Sequence, residues 1–132
     1  MNIASALLKQ IVIEQDLDTW AQVKEIYLPN EYRGIFGILE KHVDNYQSLP
    51  TFEELKAGQR DQRIQEKLSA IESIDVEVGA DMLLDYLKNE YTQTEILNEL
   101  DTYVDKTVTM ASAEENIEQL QEIVLNVSDK VD

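Results

Sequence analysis

The sequence predicts an all-α protein: a small helical bundle over residues 1–79, followed by a C-terminal antiparallel helical hairpin over residues 80–132. Three observations carry this prediction. Apolar residues recur at steps of three and four along most of the chain, the period of an amphipathic helix. Only four Gly and two Pro stand among the 132 residues, so helix breakers are few. Two capping-box patterns, Thr51 with Glu54 and Ser112 with Glu115, mark helix starts immediately after the preceding apolar run ends.

The elements follow in order. Ile3, Leu7, Leu8, Ile11 and Val12 predict a first helix over roughly residues 2–14. Asp16 stands at an N-cap position before a short helix through Trp20, Val23 and Ile26 that ends near Pro29. Tyr32, Ile35, Phe36, Leu39, Val43 and Tyr46 line one face of a third helix from about Asn30 to Gln47. Gly34 and Gly37 weaken that helix locally or let another backbone approach. Pro50 ends the run, and the capping box at Thr51 opens a short helix through Phe52 and Leu55. Beyond Gly58, residues Ile64, Leu68 and Ile71 predict a fifth helix from about Asp61 to Ser73. Residues 74–78 (IDVEV) alternate like a strand. With no second strand to satisfy their backbone, they read as an extended connector.

From Ala80 the pattern changes. Leu84, Leu87, Tyr91, Leu97, Leu100, Val104 and Val108 punctuate a charged segment that runs to about Met110. A helix of about 30 residues would be roughly 45 Å long, more than a small bundle can cover. In the segment after Ser112, residues Ile117, Leu120, Val124, Val127 and Val131 follow the three–four steps of a coiled-coil seam. The connection around Ala111 is short enough to require an antiparallel neighbour. Ile96, Tyr103, Ile123 and Leu125 fall off these seams. A hairpin with apolar residues on more than one face wants a further partner, either its own globular part or a second hairpin.

Charge and composition exclude several classes of function. The net charge is −16, with thirteen acids and three bases in residues 80–132 giving −10 there. Nucleic-acid binding draws on a basic stripe that neutralises phosphates, so little direct DNA binding is expected and protein partners are favoured. There are no cysteines, hence no disulfides or thiolate metal sites. The longest uncharged runs, Met1–Leu8 and Asn45–Phe52, are far short of the roughly 20 residues a membrane span needs. A soluble intracellular protein is expected.

No chemistry is legible. The P-loop pattern is missing, so no cofactor is expected in this segment. The single histidine, His42, has no Ser or Cys nucleophile beside it in a recognisable motif. The carboxylate pairs Glu53–Glu54 and Glu114–Glu115 lie at helix starts, where the helix dipole explains them. Arg60, Arg63 and Lys67 form one small basic cluster, read as a solvated face.

Taken together, the stretch from Leu7 to Leu55 resembles the N-terminal domain of DnaB-type replicative DNA helicases in their bacteriophage form. The residues that carry this are Leu7, Ile11, Trp20, Val23, Tyr32, Ile35, Phe36, Leu39, Pro50 and Leu55, with the segments 83–100 and 112–127 resembling the two arms of the family's hairpin. The resemblance implies a non-catalytic collar domain. Its hairpins pair between subunits, as dimers or as a ring of dimers, and it binds primase or a helicase loader. The ATP- and Mg-dependent unwinding of the family belongs to a P-loop domain with no counterpart in these residues. Carried over, Leu97, Leu100, Val104, Ile117, Leu120, Val124 and Val127 are the candidates for pairing or hairpin packing. The location implied is the cytoplasm of a bacterial host. A second expectation is a stand-alone acidic regulator that binds a basic replication protein.

Overall fold

The computed structural model describes residues 2–106 and 112–131. Every regular element among them is helical, seven α-helices and one 3₁₀ turn, so the all-α expectation holds. The chain forms two compact units, Met1–Leu87 and Lys88–Asp132.

Helix α1 (Ile3–Glu14) is the centre of the first unit. Its N-cap is Asn2, whose side chain accepts from the Ser5 amide, and Gln15 ends it in the left-handed conformation. Ala6, Leu7, Leu8 and Ile11 are fully buried, with Ala4 and Val12 nearly so. A helix apolar around most of its circumference is one enclosed by neighbours, and α1 packs against α2 and α5.

Helix α2 (Leu17–Gln22) starts at Asp16, whose carboxylate accepts from both the amide and the hydroxyl of Thr19. Those hydrogen bonds, the hydroxyl's first, hold the Asp16 carboxyl below its ordinary range. The expected run through Ile26 is interrupted. Val23 is extended, and a separate 3₁₀ turn, Glu25–Tyr27, follows. The break lets Val23, Tyr27 and Leu28 all reach the core while Ile26 faces solvent, which one continuous helix would not allow.

Helix α3 (Asn30–Tyr46) buries Ile35, Phe36 and Leu39, and the Phe36 ring lies 4.9 Å from that of Trp20. A Cβ added at Gly34 or Gly37 would meet nothing within 4 Å, so neither glycine serves a close backbone approach. Gly37→Ala is therefore expected to raise stability by about 0.5–1 kcal/mol, the helical cost of glycine. Urea denaturation would show this as a higher midpoint with an unchanged slope.

The corner at Ser48–Leu55 is built as the sequence indicates. Leu49 and Pro50 are buried, and α4 (Phe52–Gly58) opens with the complete Thr51–Glu54 capping box. Gln15 reaches across to the Pro50 carbonyl at 3.1 Å, joining the corner to the end of α1. Helix α5 (Gln62–Glu72) follows, capped by Asp61, and packs on α1 and α4 through Leu68 and Ile71.

Residues 74–78 belong to no helix or strand. Helix α1 satisfies them: Lys9 donates to the Ile74 carbonyl, and Gln10 donates to the carbonyls of Val78 at 2.7 Å and Val76 at 3.4 Å. The Ala80 amide then donates to Glu14 at 2.9 Å. This explains a buried Gln10, since a polar side chain inside is tolerated when its hydrogen bonds are made.

Helix α6 (Ala80–Lys106) is continuous, and its first two turns contribute Ala80, Leu83, Leu84 and Leu87 to the core of the first unit. The boundary therefore falls at Leu87/Lys88 rather than before Ala80, because those leucines are core residues. Helix α7 (Ala113–Val131) begins with Ser112 accepting from the Glu115 amide at 3.2 Å. Within the second unit Lys130 lies 2.8 Å from Glu95 and 3.8 Å from Glu99. Hydrogen bonding to Glu95 holds the Lys130 ammonium above its ordinary range. Val108, Met110 and Ala111, where the sequence places the turn, lie outside the described residues.

Candidate interaction surface

Two features stand out from the fold as candidate sites: a groove in the first unit and an apolar surface on the second. The groove, of about 800 Å³, lies between α3 and α4 and is lined by Ile38, Lys41, His42, Tyr46, Glu54 and Leu55 among others. His42 Nδ1 donates to the Ser48 carbonyl at 2.9 Å, its Nε2 lies 3.6 Å from Glu54, and its ring sits 4.7 Å from that of Tyr46. The ring meets the backbone of Ser48 rather than its hydroxyl. A nucleophile–base pair needs the hydroxyl within hydrogen-bond reach of the imidazole, so this arrangement reads as a brace across the corner. Among the described residues, no group of three or more His, Cys, Asp or Glu is placed to hold a metal ion. None of their helices is long and apolar enough to cross a membrane.

The basic cluster divides. Lys67 is used internally, donating to the Glu31 carbonyl at 2.7 Å, while Arg60 and Arg63 are exposed.

The second unit carries the candidate residues predicted from sequence, and their burial sorts them. Val127 is only 4 % exposed and Leu100 is half-buried, so these two pack within the unit. Leu97 (61 %), Val104 (55 %), Ile117 (56 %) and Val124 (67 %) face solvent, and Leu120 (39 %) sits at the margin. Tyr103 and Ile123, which the heptad reading sets off the seam, are buried instead. The correction has a simple cause. On α7, Leu120, Ile123 and Val127 obey the same three–four rule as Leu120, Val124 and Val127, so periodicity cannot choose between them. The structure takes the set containing Ile123 and leaves Val124 outside.

Two exposed residues outside the predicted set, Leu125 (65 %) and Ile96 (40 %), extend the same apolar surface. Their signal is visible in the sequence as apolar residues that no seam absorbs. On the first unit Ile13, Leu17, Ile26 and Tyr46 are exposed singly, while Met82 and Tyr86, four residues apart near the start of α6, are exposed as a pair.

At 100° per residue, Leu97, Leu100 and Val104 occupy an arc of about 60° on α6, and Ile117, Leu120 and Val124 an arc of the same width on α7. Each stripe lies beside the buried residues of its own helix, Tyr103 and Ile123 respectively. The chemistry available is thus burial of aliphatic side chains against another surface. Comparison with protein families, with curated proteins and with solved structures returned no match to this chain.

Proposed function

We propose that this chain is a non-catalytic protein-interaction domain that self-associates through α6 and α7, as the collar domain of a DnaB-type replicative helicase does. The observation that carries the reading is the exposed apolar stripe on each helix, beside a separate buried seam. Leaving one such side chain in water forfeits roughly 1 kcal/mol or more relative to burial, and contiguous apolar surface of this kind marks an interaction site.

The second unit folds back as an antiparallel hairpin in this reading. Support comes from Lys130, near the end of α7, meeting Glu95 and Glu99 in the middle of α6. That register sets the buried Tyr103 level with the middle of α7, where Ile123 is buried. The helicase resemblance draws support from the first unit. Of the residues that carry it, Leu7, Ile11, Trp20, Val23, Ile35, Phe36, Leu39, Pro50 and Leu55 are buried and Tyr32 is half-buried, so they act as a packed set. Primase or a helicase loader is the further partner the resemblance proposes, with ATP-driven unwinding assigned to a separate P-loop domain.

Sedimentation velocity over a concentration series tests self-association. The expected result is a weight-average mass rising from the 15.2 kDa monomer towards the dimer or beyond. A constant monomer mass up to millimolar concentration would contradict it.

A second reading, an acidic regulator of a basic replication protein, is favoured by the −10 balance of residues 80–132. Its affinity for a basic partner would fall as salt rises, because screening weakens attraction between opposite charges.

A further inference from the structure

The exposed stripes have an acidic margin. On α6, Glu90, Asp101 and Asp105 border Leu97 and Val104 on the side away from Tyr103, and all three are exposed. On α7, the exposed Glu114 and Glu118 border Ile117 on the side away from Ile123 in the N-terminal half of that edge, and the exposed Leu125 continues the edge in the C-terminal half. Lys88 and Lys130 do not offset them. Lys130 is engaged with Glu95 and Glu99, and Lys88 is half-buried, about 180° around α6 from Leu97. From Lys88 onwards, eleven acids and three bases give the unit a net charge of −8.

The rotation from buried seam to exposed stripe is about +100° on α6 (Tyr103 to Val104 and Leu97) and about +100° on α7 (Ile123 to Val124 and Ile117). Two antiparallel helices that turn the same way from a shared seam present their stripes on the same side of the pair. Resting on the fold-back and self-association proposed above, this makes one diagonal apolar face with carboxylates on both edges: Lys130 beside Glu95 and Glu99 sets residues 97–104 level with the C-terminal half of α7, so the two stripes are staggered by about 9 Å and meet near Val104 and Val124. The face is small: two helices roughly 10 Å apart and about 10 Å of stripe on each give a few hundred Å², below the roughly 800 Å² per partner of a standard interface. Its occupant is a second copy. The two stripes match in length and composition (Leu, Leu, Val and Ile, Leu, Val), so a copy turned by a two-fold axis sets aliphatic on aliphatic. Any such arrangement also sets acidic edge towards acidic edge.

We infer that self-association through this face is controlled by ionic strength with a sign opposite to that of a charge-complementary interface: salt strengthens it. Repulsion between the edges opposes a contact too small to override it, and screening removes the repulsion while leaving the aliphatic burial intact.

Sedimentation equilibrium of the full chain in NaCl tests this. Between about 0.01 M, where the Debye length is roughly 30 Å, and about 1 M, where it is roughly 3 Å, the dimer dissociation constant is expected to fall by about tenfold or more. The triple variant Asp101→Asn, Asp105→Asn, Glu118→Gln, checked for unchanged helicity by circular dichroism, should dimerise more tightly than the parent at low salt and show a flatter salt dependence. A dissociation constant that rises with salt means opposite charges face each other across the contact, as with a basic partner, and overturns the inference. A salt slope unchanged in the triple variant overturns it too, since the repulsion would then come from overall charge rather than from these edges. A chain monomeric at every salt concentration overturns the self-association reading itself, and this inference with it.

Discussion

Aspartate at both Leu120 and Val124 is expected to leave a folded, helical monomer at concentrations where the parent chain self-associates. Val124 is two-thirds exposed and Leu120 lies at the margin of burial, so both carboxylates can stay hydrated in the monomer. In an assembled face they would be buried without partners, adding a desolvation cost to the lost aliphatic contact. Together these exceed about 3 kcal/mol, a loss of more than about a hundredfold in affinity. Val124→Asp alone, at the more exposed site, should have most of the effect with the least change in stability. Val127→Asp is the contrasting variant. Its side chain is buried within the second unit, so a charge there should melt that unit rather than merely separate copies. Circular dichroism with light scattering distinguishes the two outcomes.

Leu83→Ala is expected to destabilise the first unit by about 2–5 kcal/mol, the usual range for truncating a fully buried leucine. Leu83 is 1 % exposed, and the total stability of a domain this size is only about 5–15 kcal/mol. Trp20 is the one tryptophan and is buried in the first unit beside Phe36, so its fluorescence reports the unfolding of that unit. The neighbouring Met82→Ala, at an exposed site, should change the urea midpoint little. Equal effects of the two substitutions would mean that the start of α6 is not part of this core.

That contrast also marks what the sequence could and could not reveal. The corner at Thr51 was legible because a capping box is a local arrangement of two side chains and two amides, fixed by residues three apart. The same holds for Asp16 and for the lower cap at Ser112. That 74–78 is a connector rather than a strand was legible by elimination, although nothing in it announces Lys9 and Gln10 as its partners, more than 60 residues away. The membership of Leu83, Leu84 and Leu87 was hidden, because a continuous amphipathic helix carries no mark where it passes from one set of neighbours to the next. The choice of Ile123 over Val124 was hidden for a related reason. An apolar arc wider than one seam admits two registers, and only tertiary packing selects between them. The two helices that carry the candidate surface were thus legible from sequence, and the division of their apolar residues into buried and exposed came from the structure.

Methyl NMR over a dilution series tests the central claim most directly. The claim is that the exposed aliphatic face of α6 and α7, and not another surface, carries self-association. Concentration-dependent shifts are predicted for the methyl groups of Leu97, Leu100, Val104, Ile117, Leu120 and Val124, with those of buried Leu7, Leu39 and Leu83 unmoved. Shifts centred instead on Ile13 and Met82, or no shifts up to millimolar concentration, would contradict the account.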